Sequence, residues 1–213
     1  AMSKKVLDAY LNFLDFSHVY FTQEDVDGFR AKFSTALPDY ISKRNVSPAL
    51  EIYDTYEQRV KERVTCAKAL LDSKNFSFDS SRTVEMKRDK APWPKNRAAS
   101  DKLWSDLIES NLLDERLSDR AKTDAAARNK EKKAAKETST DTDKKEASAA
   151  TKPAAAPEPE DPPAKRVLKR YDKLIEQLGE NEAEDVVNYF LSCVSTSYDP
   201  HTEYMSQQEL DNF

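Results

Sequence analysis

The 213-residue sequence carries 34 basic against 39 acidic residues, a net charge of −5, and only 2 glycines. A net negative chain is not drawn as a whole to phosphate backbones or anionic lipid, so neither nucleic acid nor a membrane surface is expected as a partner. With Gly28 and Gly179 alone, no GxGxxG fingerprint, P-loop or GxSxG elbow can be written, since each needs several glycines for close backbone approach.

Charged residues make up 34% and the hydrophobic set 38%, a balance that suits helices with solvated charged faces, so the expected fold class is all-α. No apolar run reaches the ~18 residues that would span a bilayer. The opening Ala1-Met2 reads as a cloning remnant, so a leader is not expected to be visible.

The first helix is predicted from Val6, Tyr10, Phe13 and Leu14, with Leu7 and Leu11 alongside, ending near "DFSH". Thr22 then caps a second helix through the backbone N–H near Asp25, and Val26, Phe29, Phe33 and Leu37 follow on one face. Pro38 closes that element or follows its last turn. The strongest helical signal is "NVSPALEIYDTYEQRVKERVTCAKALLD", with Ser47 as N-cap, Pro48 at the first helical position, and a stripe of Tyr53, Tyr56, Val60, Val64, Ala67 and Leu71. The stripe's spacing of three and four residues reads as core packing rather than as a ligand box.

In "FSFDSSRTVEMKRDKAPWPKN" the period breaks, and Phe76 and Phe78 are read as a short extended piece. Two prolines bracket Trp93 there and hold it extended at low entropic cost, either as an intramolecular latch pinned into the core, the preferred reading, or presented to a partner. Helix returns at Ser100, the expected N-cap for "DKLWSDLIESNLLDERL", where Leu103, Leu107, Ile108 and Leu112 share a face.

Residues 121–166 contain thirteen Ala and five Pro but no Val, Ile, Leu, Met or aromatic side chain, so nothing there offsets the entropy of ordering them. The stretch is read as a disordered linker between a helical region at 1–120 and another at 167–213, its start transiently helical. Its eleven basic and nine acidic residues nearly cancel, unlike a nucleic-acid-binding tail. Beyond it, Val167, Tyr171, Leu174, Ile175 and Leu178 form a helix stopped by Gly179 in the left-handed position. Asn181 with Glu184 caps the next, whose inner face is Val186, Val187, Phe190, Leu191 and Val194. These two helices are expected to pack back on the earlier ones, because a helix pair alone buries little core.

With only His18 and His201, a three-histidine metal site is excluded within one chain. His18 is read as capping carbonyls or packing at a helix end. His201 lies in "YDPHTEYMSQQELDNF", where Asp199, Tyr204 and Ser206 could be drawn as a hydrolytic cluster. One local segment seldom supplies nucleophile, base, orienting group and oxyanion donors together. A turn at Asp199-Pro200-His201-Thr202 followed by a Ser206/Glu209 capping box accounts for the same residues. Leu210 and Phe213 then begin an apolar face without a partner. Cys66 and Cys193 leave two readings open, separate thiols on helices or a single bridge.

Three blocks in fixed order resemble the tail-specific, carboxy-terminal processing proteases of peptidase family S41. "YLNFLDFSHVYFTQEDVDGF" at 10–29 is similar to that family's opening helix, turn and second helix, with Asp15, Ser17 and His18 as signature positions. "RDKAPWPKNRAASDKLW" at 88–104 is similar to its Pro-Trp-Pro segment, here Pro92, Trp93, Pro94 and the following Trp104. "DPHTEYMSQQELDNF" resembles its approach to a PDZ domain, through Asp199, Pro200, His201, Thr202, Tyr204, Ser206 and Phe213.

The resemblance covers nearly everything outside the linker. It implies the non-catalytic N-terminal helical scaffold of a periplasmic serine protease, whose PDZ module and Ser/Lys dyad lie downstream. No catalytic, cofactor or metal residue is therefore carried into this chain. The implied partners are the downstream PDZ and protease domains of the same protein, with unfolded polypeptide or a protein adaptor beyond them. Residues 121–166 depart from the family pattern as an insertion. The residues alone also allow a free-standing helical protein–protein interaction module.

Overall fold

The computed structural model describes residues 2–73, 75–78, 81, 83–137, 161–202, 204–206 and 210–211. They form α1 (Met2–Leu14), α2 (Gln23–Phe33), α3 (Leu37–Ser42), α4 (Ser47–Ser73), α5 (Arg97–Glu137), α6 (Pro163–Glu180) and α7 (Ala183–Tyr198), with no strand among the described residues. The chain is all-α, as its composition and periodicity predict.

The 27-residue α4 is the spine, because its apolar stripe serves two cores in succession. Its first half, with Ile52, Tyr56 and Val60, joins Tyr10 and Leu11 of α1, Val26 and Phe33 of α2, and Phe190 of α7 in the larger core. Its last turns, with Ala67 and Leu71, meet Trp104, Ile108 and Leu112 of α5 and Val167 of α6. Helices α6 and α7 thus return to the N-terminal half, and the Tyr10 ring meets Phe190 edge-on at 5.3 Å between centroids. Each large buried side chain removes apolar area worth about 1.5–3 kcal/mol from water.

Several helix ends differ from the sequence reading, each for a local reason. Helix α5 starts at Arg97 rather than after Ser100, because Asn96 Oδ1 accepts the Ala99 N–H at 3.1 Å and takes the capping role. Ser100 is instead buried inside the helix. Helix α4 begins at Ser47 itself, whose N–H donates to Asn45 Oδ1 at 2.9 Å. Gly179 does not stop α6; it lies within the helix, and neither glycine has a positive φ. Asn181 does not cap α7 either. The cap residue is Glu182, whose N–H donates to Asp185 Oδ2 at 2.8 Å, while the Asn181 amide bridges Tyr53 and Tyr189. Pro38 sits at the start of α3 and does not close α2. Phe78 adopts a positive φ of 48° rather than an extended conformation.

Within the stretch read as a linker, α5 runs on through Glu137 and α6 starts at Pro163; residues 138–160 lie outside the described residues. Alanine and lysine are good helix formers whose charge stays solvated, so helix needs no buried face there once α5 has been nucleated upstream. Proline at the start of α6 has no N–H to waste and a preset φ. Arg166 ties that start to α5, with Nε 2.7 Å from Glu115 Oε2 and Nη2 2.7 Å from Asp119 Oδ1.

Candidate functional site

The turn from Asp15 to Phe21, between α1 and α2, is densely hydrogen-bonded. Asp15 directly follows α1 with only 1% of its surface exposed, so its carboxylate must find donors inside the protein. It finds four. Oδ1 accepts the Val19 N–H at 2.9 Å, and Oδ2 accepts those of Tyr20 and Phe21 at 3.0 Å and the Trp93 indole N–H at 3.1 Å. Burial pushes the Asp15 carboxyl up from its ordinary value, while the bonds from Val19, Phe21, Tyr20 and Trp93 pull the other way.

His18 stands at the apex of this turn with φ of 50°, a left-handed conformation that costs a non-glycine residue about 1–2 kcal/mol. Its ring stacks on Trp93 with centroids 3.8 Å apart and planes at 30°. Nδ1 lies on the Ala91 carbonyl, which can only accept, so this nitrogen carries a proton. Nε2 lies 2.7 Å from Asn12 Oδ1. A side-chain amide serves a protonated or a bare nitrogen, since rotation exchanges Oδ1 for Nδ2.

Residues 91–94 therefore cross the turn as a strap held along its length. Ala91 is fixed by His18, Trp93 by Asp15 and His18, and the Pro94 carbonyl accepts the Gln23 N–H at 2.8 Å, satisfying a first-turn donor of α2. The Arg30 guanidinium lies 6.0 Å from the centre of the Trp93 ring system. Trp104 of α5 donates its indole N–H to the Val19 carbonyl at 2.8 Å. Both tryptophans thus read one turn. Of the signature residues in this part of the chain, Asp15, His18, Pro94 and Trp104 are buried, Trp93 is half-buried, and Ser17 and Pro92 are exposed.

The Asp199-to-Thr202 segment is a turn. Asp199 Oδ1 accepts the His201 N–H at 3.0 Å, Oδ2 lies 3.3 Å from Thr202 Oγ1, and the Thr202 N–H donates to the Asp199 carbonyl at 3.0 Å. The carboxylate that a triad would need to orient an imidazole is occupied by its own turn. His201 and Pro200 are exposed, Tyr204 is half-buried and Ser206 is buried. The Leu210 N–H donates to the Ser206 carbonyl at 2.9 Å, as a helical turn requires; Glu209 and Phe213 lie outside the described residues.

Cys66 and Cys193 are free thiols. No group of three or more His, Cys, Asp or Glu residues that could hold a metal occurs among the described residues. Nor is any helix among them long and apolar enough to cross a membrane.

Sequence reasoning found Asp15, His18 and Trp93 but missed their partners. Asn12 and Arg30 carry no local signal, being ordinary polar residues on helix surfaces. Arg59 is equally silent, yet its guanidinium pairs with Asp25 Oδ1 at 2.7 Å and Oδ2 at 3.0 Å, locking α4 to the capped start of α2.

Comparison with known proteins bears on the same residues. The family described as tail specific protease N-terminal domain matches residues 1–208. A tail-specific protease of Haemophilus influenzae is 28% identical over 211 residues, which is 99% of this chain and 25% of that protein. The chain thus spans about a quarter of the length of that relative.

Proposed function

Because the chain belongs to the tail-specific protease N-terminal domain family, we propose that it is the non-catalytic helical scaffold of a larger serine protease of the S41 type. In this reading it positions a PDZ module and a Ser/Lys catalytic domain farther along the polypeptide. The parent protein processes or degrades periplasmic proteins from their C-termini, the scaffold frames the entry of extended polypeptide, and an unfolded substrate or a protein adaptor is its further partner. Residues 121–166, whose two ends belong to α5 and α6, are an insertion in the scaffold.

The observation that carries the reading is the hub at Asp15. Two tryptophans, 78 and 85 residues away from the groups they bond, converge on one seven-residue turn and make the ends of α1, α2 and α5 a single body. A carboxylate saturated by backbone and indole donors is built to hold position, not to exchange protons with a substrate.

The test is an activity comparison on unfolded substrates with apolar C-termini. The full-length protein should hydrolyse them and the 213-residue chain should leave them intact. Hydrolysis by the chain, lost in His201→Ala, would overturn the proposal.

A further inference from the structure

A groove of about 200 Å³ opens between the start of α1, α3 and the last residue of α7. Val6 and Leu37, each 1% exposed, form its floor, and Met2, Pro38, Ile41 and Tyr198 form its walls. No charged side chain lines it, although 34% of the chain is charged, so the absence of charge is a local property of this surface. Its walls are open to solvent: Ile41 is 40% and Tyr198 69% exposed. The volume is below the ~300 Å³ at which cofactor and drug-sized pockets begin, and suits one or two large side chains.

Position selects the occupant. Tyr198 is both a wall of the groove and the last residue of α7. Lys5 Nζ donates to the Ser197 carbonyl at 2.6 Å, so the exit point is fixed against α1 beside the groove. The Asp199 turn then redirects the chain at once. Met205 and Leu210, on the departing segment, are also exposed, so half of the ten large apolar side chains exposed among the described residues lie on the groove or the segment leaving it. Open apolar surface of this kind is suited to a contact with further polypeptide. The Haemophilus influenzae relative is about four times as long as this chain.

We propose that the groove seats uncharged aliphatic or aromatic side chains of the polypeptide that follows Phe213 in the full-length protein, and so fixes the angle at which the next domain leaves. This rests on the scaffold reading above and names the surface through which the scaffold acts.

The test places a charge in the groove at an exposed position, Ile41→Asp, with Ile41→Leu as the conservative control. Melting of the 213-residue chain should shift by less than about 3 °C, as for surface substitutions generally. In the full-length protein, limited proteolysis by a protease of broad specificity in the segment that follows residue 213 should accelerate at least tenfold in Ile41→Asp and stay unchanged in Ile41→Leu. Equal cleavage rates in Ile41→Asp and the parent would overturn the seat. So would a concentration-dependent dimer of the parent chain that Ile41→Asp dissociates, because a second copy would then be the occupant. A full-length protein that hydrolyses C-terminally apolar substrates yet shows no change in cleavage sinks only the groove; one without hydrolytic activity sinks the scaffold reading first.

Discussion

The Trp93 indole donates to Asp15 Oδ2 at 3.1 Å, and the same indole stacks on His18 three residues farther on, so one side chain measures the geometry of the whole α1–α2 turn. Two substitutions separate its contributions. Trp93→Phe keeps a ring for stacking and loses the hydrogen bond to a charged acceptor, which should cost about 1.5–3 kcal/mol. Trp93→Ala also loses the packing and should cost about 3–5 kcal/mol. Urea unfolding of both variants checks the order; equal midpoints for Trp93→Ala and the parent would refute the latch.

Acid stability should carry the mark of Asp25. Burial pushes its carboxyl up, but hydrogen bonds from Arg59 and Thr22 outweigh that and hold it below the ordinary carboxylate range. A lowered folded-state value means stability that is present above about pH 4 and is lost as pH falls through the lowered one. Asp25→Asn should therefore lower stability at pH 7 and flatten the decline below about pH 4. Asp15 has the opposite sign, since its carboxyl is raised on folding: its titration favours the fold at low pH and weakens it as pH rises through the raised value. Melting temperatures of Asp25→Asn and the parent across that range are the measurement.

Ser100→Ala should stabilise the protein. The Ser100 hydroxyl is buried in α5 and has no hydrogen-bond partner among the described residues. Removing it relieves a desolvation cost and gains helix propensity, together about 0.5–1.5 kcal/mol. A fall in melting temperature would show that the hydroxyl is satisfied in solution.

The two thiols should be distinguishable. Cys66 is half-buried on α4, whereas Cys193 is buried against the α1–α7 core and its thiol is pushed up to about 11 by burial. A disulfide reagent at pH 8 should modify one thiol per native chain, Cys66, and reach Cys193 only after unfolding. Two equally fast equivalents would contradict the burial of Cys193.

Thr22→Ala should cost about 1 kcal/mol, the ordinary worth of an N-cap. Its hydroxyl accepts the Asp25 N–H at 3.2 Å while Asp25 accepts the Thr22 N–H at 2.9 Å. This box was legible in the sequence because both members lie within one turn. Thr22→Ser should restore most of the loss in thermal melts, and no difference between the two variants would refute the role.

What the sequence determined by itself is what neighbours a few residues apart set: the all-α class, the Thr22 box, the Asp199 turn, and the core stripes of α1, α2, α4 and α7 except Phe13, which is exposed, and Leu37, which opens α3. Helix periodicity and side chain-to-backbone bonds are local, so they are written in spacing. Ser100, Asn181 and Gly179 were misplaced because cap propensity is worth about 1 kcal/mol, less than the tertiary contacts that compete with it. Asn181 is drawn to two tyrosine hydroxyls, and Ser100 is carried inside α5 by the cap at Asn96. Only the tertiary structure joined Asp15 to Trp93 and set Tyr198 beside Ile41. Those meetings depend on how six helices share the α4 stripe, and no spacing along the chain encodes the distance between residues 78 positions apart.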